Sequence, residues 1–340
     1  MPQLRTDYTS RSVSLIPPAP LNLHEDPSDQ CYYCSGNESK TPLAELVLLD
    51  KFGGIVKTAD SEEERQQDWV ARVFKSPRPV IFEDPSMGYS DEPLLAEPAN
   101  GNHYVVVTSP KHDEAFHNAP ANQISNGLLA MQEQMKTLYQ GKGIAYVAAY
   151  SNYTPGKSSY SHPQIELLSL SRIPPAIERE LDATDAVYNE LSICPMCRIV
   201  NVETGGPRQI LATESYVAFI PWAPVQDMEF WIVPRKHQRS FLKMTQNQVK
   251  ELALIMRCTV GGLVKVRNGI AKYSISFHTA PERKQQSQYH WHVEVHPTDR
   301  PLNALESGFG VYVMEAPPEV TAEKLGRASR REMAELLGVK

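Results

Sequence analysis

The chain predicts a mixed strand-and-helix protein of the α+β class, built as two tandem copies of one unit. Three observations carry this expectation. The first is a series of motifs that recurs in order. Cys31-x-x-Cys34, Lys111-His112-x-x-Ala115-Phe116 and His162-Pro163-Gln164-Ile165-Glu166 return as Cys194-x-x-Cys197, Lys236-His237-x-x-Ser240-Phe241 and His290-Trp291-His292-Val293-Glu294. The second is the order of elements, because each copy reads as strand, helix, strand and histidine motif. The third is length: 340 residues exceed one ordinary core and suit two. The boundary is placed near residue 180, giving units 1–180 and 181–340.

The elements follow in order. Residues 12–39 hold no Lys or Arg but carry Pro17, Pro18, Pro20 and Pro27, so an irregular arm is expected to lead into the first Cys pair. A hydrophilic stretch over 60–67 precedes Trp69-Val70-Ala71-Arg72-Val73-Phe74, whose alternation predicts a strand. Residues 84–102, rich in Pro, Gly, Asn and Asp, read as a long loop. The run Tyr104-Val105-Val106-Val107-Thr108 is stopped by Ser109-Pro110, and Phe230-Trp231-Ile232-Val233 by Pro234, so both strands deliver a Lys-His pair. Helical spacing follows in each copy, through Ile124, Leu128, Met131, Met135 and Leu138 and through Val249, Leu252, Leu254, Ile255 and Leu263. Strands are expected over 145–150 and 273–277. A connecting helix over 175–191 starts at Pro174-Pro175 and repeats its apolar positions at Ile177, Leu181 and Val187.

Composition narrows the class of function. A hydrophobic share of 41% with 22% charged residues suits a soluble globular protein, and a net charge of −6 implies no nucleic-acid footprint. No apolar run reaches eighteen residues, and residues 1–11 have neither a basic nor an apolar leader segment, so no membrane partner and a cytoplasmic location are expected. Five cysteines, four of them in C-x-x-C pairs without a secretion signal, suit metal ligation better than disulfides. Cys258, within the apolar stretch 252–260, reads as a buried inert thiol.

Each copy offers two thiolates and two imidazoles, the ligand set of a tetrahedral zinc site. The expected sites are Cys31, Cys34, His112 and His162, then Cys194, Cys197, His237 and His290. Repetition in order favours this reading over buried cysteines and surface histidines. Four protein ligands leave no open position, so the metal is expected to be structural and the chemistry to lie beside it. Residues i and i+2 of a strand share a face, which puts His162, Gln164 and Glu166 in one row and His290, His292 and Glu294 in another. The middle member of each row then faces the adjoining cleft. A neutral imidazole there can attack an α-phosphorus and form a phosphoramidate, whereas an amide cannot. His292 is therefore a candidate nucleophile, with a packing role as the other reading, and Gln164 is expected to hydrogen-bond. His278 and His296 read as solvated or hydrogen-bonding side chains. Asn152, Ser158 and Ser159 lie in a polar turn over 151–161 that could donate to phosphate oxygens, or be an ordinary loop. Gly156-Lys157-Ser158 is no P-loop, because the upstream glycine is missing.

These residues resemble the galactose-1-phosphate uridylyltransferase family, a branch of the histidine-triad superfamily. Cys31-Tyr-Tyr-Cys-Ser-Gly-Asn-Glu38 with Thr41-Pro42 is similar to the family's Cys-Pro-Phe-Cys-Pro-Gly-Asn-Glu opening. Residues 69–74 resemble its W-x-x-R-V-F strand, and Thr108-Ser-Pro-Lys-His112 its first histidine loop. Tyr289-His-Trp-His-Val-Glu-Val295 is similar to the Tyr-His-Trp-His-Ile-Glu-Ile of prokaryotic members. Glu306-Ser-Gly-Phe-Gly-Val-Tyr312 and Pro318-Glu319 echo its C-terminal segment. The resemblance implies two tandem histidine-triad-like domains, each an antiparallel sheet flanked by helices, and a homodimer. It also implies a place in galactose metabolism and a ping-pong reaction, in which a histidine passes a nucleoside monophosphate from a nucleotide sugar to a sugar phosphate. By position it implies that Cys31, Cys34, His112 and His162 match the first metal site, and that Asn152 and Ser159 match substrate contacts.

The chain departs from the family's His-Pro-His-x-Gln signature at two decisive places. Gln164 stands where the nucleophile is expected, and Glu166 stands where a Gln binds phosphate. A carboxylate beside a diphosphate repels it unless protonated or metal-bound. Ser76 stands where an Asn is expected, and no cation lies between Arg11 and Lys40. Three readings follow. The second repeat has taken over nucleotidyl transfer through His292, with Glu294 assisting; or the protein is a non-catalytic relative that binds nucleotides or a protein partner; or the acceptor attacks phosphorus directly beside Gln164.

Overall fold

Gln164, Glu166, His292 and Glu294 lie on one continuous sheet, whose strand order matches from its centre outward through five strands in each direction. The computed structural model describes residues 2–10, 12–20, 31–83, 91, 93–284 and 288–339. The strands are β1 (Gln3–Thr6), β2 (Val13–Ile16), β3 (Leu46–Lys51), β4 (Gly54–Thr58), β5 (Trp69–Lys75), β6 (Ala96–Pro98) and β7 (His103–Val107). There follow β8 (Tyr146–Tyr153), β9 (Gln164–Leu170), β10 (Gln209–Ala212), β11 (Tyr216–Phe219), β12 (Phe230–Pro234), β13 (Tyr273–His278) and β14 (His292–Pro297). The helices are α1 (Ala121–Gln140), α2 (Pro175–Leu191), α3 (Pro195–Glu203), α4 (Gln246–Val266), α5 (Ala304–Phe309) and α6 (Pro318–Leu336).

The main sheet has the order β10-β11-β12-β14-β13-β8-β9-β7-β5-β3-β4, with antiparallel neighbours. The first repeat contributes β4-β3-β5-β7-β9-β8 and the second β10-β11-β12-β14-β13, so the repeats meet edge to edge at β8 and β13 and the first adds one outer strand, β4. At that seam Tyr150 pairs with Ser276, while Tyr150 also pairs with Glu166 and Ser276 with Glu294. The two glutamates are thus equivalent positions either side of a pseudo-twofold axis. The edges that each sheet would expose at this side are satisfied by the other repeat.

Strand alternation sorts the two faces. Ile165 and Leu167 of β9, with Val293 and Val295 of β14, enter one hydrophobic core with Leu128, Met131 and Met135 of α1 and Val249, Leu252 and Met256 of α4. Gln164, Glu166, His292 and Glu294 therefore point to the opposite face. The α4 helix opens with a reciprocal capping box between Thr245 and Gln248. It crosses α6 closely at Gly262, where a Cβ would sit 2.5 Å from Ser329 Oγ. Under β5, Arg72 Nη2 lies 2.5 Å from Asp60 Oδ2, with both side chains buried.

Most expected elements are present, and the exceptions have local causes. Residues 13–16 of the expected irregular arm form β2, which pairs with β1, and residues 96–98 of the expected loop form β6, on the other side of β1. Residues 21–30, with Pro27, and residues 84–90 lie outside the described residues. The 69–74 strand is buried at nearly every position because both its faces are covered, so the alternation is not one of exposure. The histidine rows begin as strands only at Gln164 and His292, which leaves His162 and His290 in the preceding turns. The connecting helix runs unbroken through residue 180.

Candidate active site and metal centres

The first Cys-x-x-Cys turn is held by Asn37 Nδ2, which donates to the Cys31 carbonyl, and by the Ser35 N–H, which donates to the Pro110 carbonyl of the His112 loop. His112 and His162 close on it from loops after β7 and before β9. Cys31 Sγ lies 3.4 Å from His162 Nδ1, and Cys34 Sγ lies 3.7 Å from both His112 Nδ1 and His162 Nδ1. A tetrahedral zinc with ordinary bond lengths has a sulfur-to-nitrogen edge of about 3.6 Å. The donor set therefore fits the metal in kind and in spacing. His112 Nε2 lies 2.8 Å from the Gly156 carbonyl and His162 Nε2 lies 2.8 Å from the Ser109 carbonyl. Those contacts assign the ring protons to Nε2 and leave each Nδ1 lone pair aimed at the sulfurs. Burial brings His162 down to about 4, which keeps the ring neutral, as a ligand must be.

The second group repeats the plan. Cys194 precedes α3 and Cys197 lies in its first turn; Cys197 Sγ is 3.4 Å from His237 Nδ1 and 3.5 Å from His290 Nδ1, with Cys194 Sγ 4.0 Å from His290 Nδ1. His290 Nε2 lies 3.0 Å from the Pro234 carbonyl, the counterpart of the His162 contact. Both groups bring together all four of the side chains expected from the sequence, and both could hold a metal.

A third group was not expected. Glu180 of α2, His278, His292 and Glu294 place one donor atom each within 4.8 Å of one another. His278 Nδ1 lies 2.8 Å from Glu180 Oε1, and His292 Nε2 lies 3.5 Å from Glu294 Oε1. Burial opposes charge at Glu294, yet His292, His296 and His278 hold its carboxyl well below the usual range. His278 is raised in spite of its burial, through Glu180. His292 itself is 3% exposed, with the Trp231 ring 5.1 Å and the His278 ring 4.9 Å from its own. The signal lay in His278 and His292, which end one strand and start the next, but Glu180 sits on a helix whose facing the sequence did not fix.

A cavity of about 800 Å³ opens on the same sheet face in the first repeat. Gln164, Glu166, Asn152, Ser158 and Ser159 all line it; His292 and Glu294 do not. Asn152 lies on β8, which extends through Tyr153, so the polar turn begins later than residue 151. Ser159 Oγ accepts the Tyr32 N–H at 2.9 Å, tying the turn to the Cys31 loop. Two cations missed in the sequence stand in the cavity. They are Lys40, over the Tyr32 ring at 5.7 Å, and Arg78, over the Tyr160 ring at 4.9 Å. Arg78 follows directly on the 69–74 strand, and that proximity was the available signal. His103 and Tyr150 were also missed; each reaches Glu166 from a neighbouring strand.

No family model matches the chain. Among curated proteins it is 23% identical to ADP-glucose phosphorylase of Arabidopsis thaliana, over 95% of this chain and 87% of that one. It is 25% identical to galactose-1-phosphate uridylyltransferase of Thermotoga maritima, over 74% of this chain and 83% of the relative. A solved uridylyltransferase superposes with a TM-score of 0.80 at 24% identity, covering 97% of this chain and 99% of its own. The chain is similar to galactose-1-phosphate uridylyltransferases over most of its length. Its arrangement of mixed helices and antiparallel sheet is the fold of the solved uridylyltransferase. Within that fold Gln164 and Glu166 line the cavity.

Proposed function

We propose that the protein is an enzyme that moves a nucleoside monophosphate from a nucleotide sugar to an acceptor, in the cavity of the first repeat. The supporting observation is the set of side chains meeting there. Lys40 and Arg78 suit a diphosphate, Tyr32 and Tyr160 offer ring faces, and Asn152, Ser158, Ser159, Gln164 and Glu166 offer polar contacts. The homologues' names supply the substrate class, with sugar 1-phosphates as the first acceptors to test. Zinc is assigned to the two Cys-Cys-His-His groups, as a structural ion that pins the loops around the cavity. The third group suits a divalent cation with harder ligands, which gives His292 a ligand's task.

A second reading keeps His292 as nucleophile, with Glu294 assisting, because His292 Nε2 is buried and among the described residues makes no hydrogen bond, with Glu294 Oε1 3.5 Å away. A third, a nucleotide-binding protein without turnover, follows from the amide at 164. Phosphorus NMR of a panel of nucleotide sugars with sugar 1-phosphates separates the readings. Turnover of a nucleotide sugar supports the proposal, and binding by calorimetry without turnover supports the third reading. A nucleotide trapped on His292 supports the second.

The domains are proposed to divide at 180/181. No helix among the described residues is long and apolar enough to cross a membrane, and a cytoplasmic location is proposed. A homodimer is proposed on the exposed apolar run Leu302, Leu305, Phe309, Val311, Tyr312 and Val313, in which Phe309 is 79% exposed. Light scattering at micromolar concentration tests it.

A further inference from the structure

Glu166 is held by one oxygen and presents the other. His103 Nε2 and the Tyr150 hydroxyl lie 2.9 and 3.0 Å from Oε2. His103 Nδ1 accepts the Val80 N–H at 3.4 Å, which assigns the ring proton to Nε2 and makes His103 a donor to the carboxylate. Among the described residues Oε1 takes no hydrogen bond, and Glu166 lines the cavity. Two residues earlier on the same face, Gln164 Oε1 is buried and also without a partner. The equivalent Glu294 in the second repeat is engaged through both oxygens, with Oε1 3.5 Å from His292 and Oε2 3.2 Å from His296 and 3.8 Å from His278. Of the two equivalent glutamates, only the first faces open space with an oxygen to spare.

The chemistry of the neighbours narrows what that oxygen does. The amide of Gln164 cannot carry a nucleotide, so phosphorus must be attacked by the acceptor itself. An anionic acceptor such as a phosphate monoester is repelled by a carboxylate and arrives already deprotonated. A neutral oxygen nucleophile is not repelled, and it carries a proton that must leave. We propose that Glu166 is the general base of a direct nucleotidyl transfer to a neutral oxygen nucleophile, with water the simplest case. The proposal rests on the reading that this cavity handles nucleotide sugars. Glu166 Oε1 takes a proton from water as the water oxygen bonds to the α-phosphorus. The bond from that phosphorus to the bridging oxygen breaks, and the sugar 1-phosphate leaves with the electron pair. The products are a nucleoside monophosphate and a sugar 1-phosphate. His103 and Tyr150 are positioning residues, which fix the carboxylate so that Oε1 faces the nucleophile.

The test incubates the full-length metal-loaded protein with a panel of nucleotide sugars in ¹⁸O-water. The expected result is nucleoside monophosphate with one ¹⁸O on phosphorus and an unchanged protein mass. Glu166→Gln should lower kcat on the order of 10²–10⁴-fold, with KM within about threefold and nucleotide-sugar binding retained by calorimetry. Tyr150→Phe should lower kcat about tenfold, and the double variant should be no slower than Glu166→Gln alone, because both act through one group. Transfer only to sugar phosphates, a nucleotide attached to the protein, or a Glu166→Gln rate equal to wild type would overturn this proposal while leaving the cavity's function standing. No binding and no turnover of any nucleotide sugar would overturn that function, and this proposal with it.

Discussion

At residue 164 the side chain is an amide, whose nitrogen lacks the basic lone pair that makes a neutral imidazole a nucleophile. Supplying that lone pair is therefore a direct probe of the proposed cavity site. Gln164→His should give a protein whose intact mass rises by one nucleoside monophosphate after incubation with a matching nucleotide sugar, while wild type shows no such rise. An unmodified, folded variant would show that residue 164 does not face phosphorus. The candidate metal ligands are legible for a different reason. Cysteine and histidine are scarce, and their spacing is repeated, so eight candidate ligands stood out in the sequence. Glu180, His103, Lys40 and Arg78 did not, because common charged residues acquire meaning only when strands and helices bring them to one face. Cys34→Ser should lose one equivalent of bound zinc by elemental analysis and keep the other, since the two Cys-Cys-His-His groups share no side chain.

Elements with one strong local cause were readable. The β-branched runs became β7 and β12, the 3.6-residue spacing became α1 and α4, and the diproline became the start of α2. The short strands β2 and β6 were not readable, because three or four residues carry no periodicity and exist only through pairing with β1. Strand β5 is fixed by a charge as much as by its apolar residues. Burial opposes ionisation of Asp60, but the Ala44 and Gln66 N–H groups and Arg72 outweigh it and lower the carboxyl below its ordinary 3.8. Its stabilising contribution is thus fully present above pH about 4 and is lost as pH falls through the lower folded value. Arg72→Met leaves that buried carboxylate with only the longer Arg65 cation contact, at 3.5 Å, and should cost about 3 kcal/mol in urea unfolding at pH 7. An unchanged midpoint would mean that water replaces the guanidinium.

For the whole molecule, duplication predicted two units but not their fusion through β8 and β13, since strand edges carry no label for their partner. One core runs beneath both repeats, so calorimetry should show a single unfolding transition; two transitions far apart in temperature would contradict a shared core. His117 sits against Tyr153 and Tyr273 at this seam, and burial with the Arg257 charge brings it down to about 4 from 6.5. Between those values the unfolded chain binds the proton and the folded one does not, so stability falls as pH drops from 6.5 toward 4. The same duplication leaves two candidate seats for chemistry on one sheet face, a cavity in the first repeat and a closed charged cluster in the second. Phosphorus NMR of nucleotide-sugar consumption by wild type, Arg78→Ala and His292→Ala, each checked for its fold by circular dichroism, decides between them. The cavity reading expects Arg78→Ala to lose at least about tenfold in kcat/KM while His292→Ala keeps its turnover. Full activity in Arg78→Ala together with none in His292→Ala would contradict it.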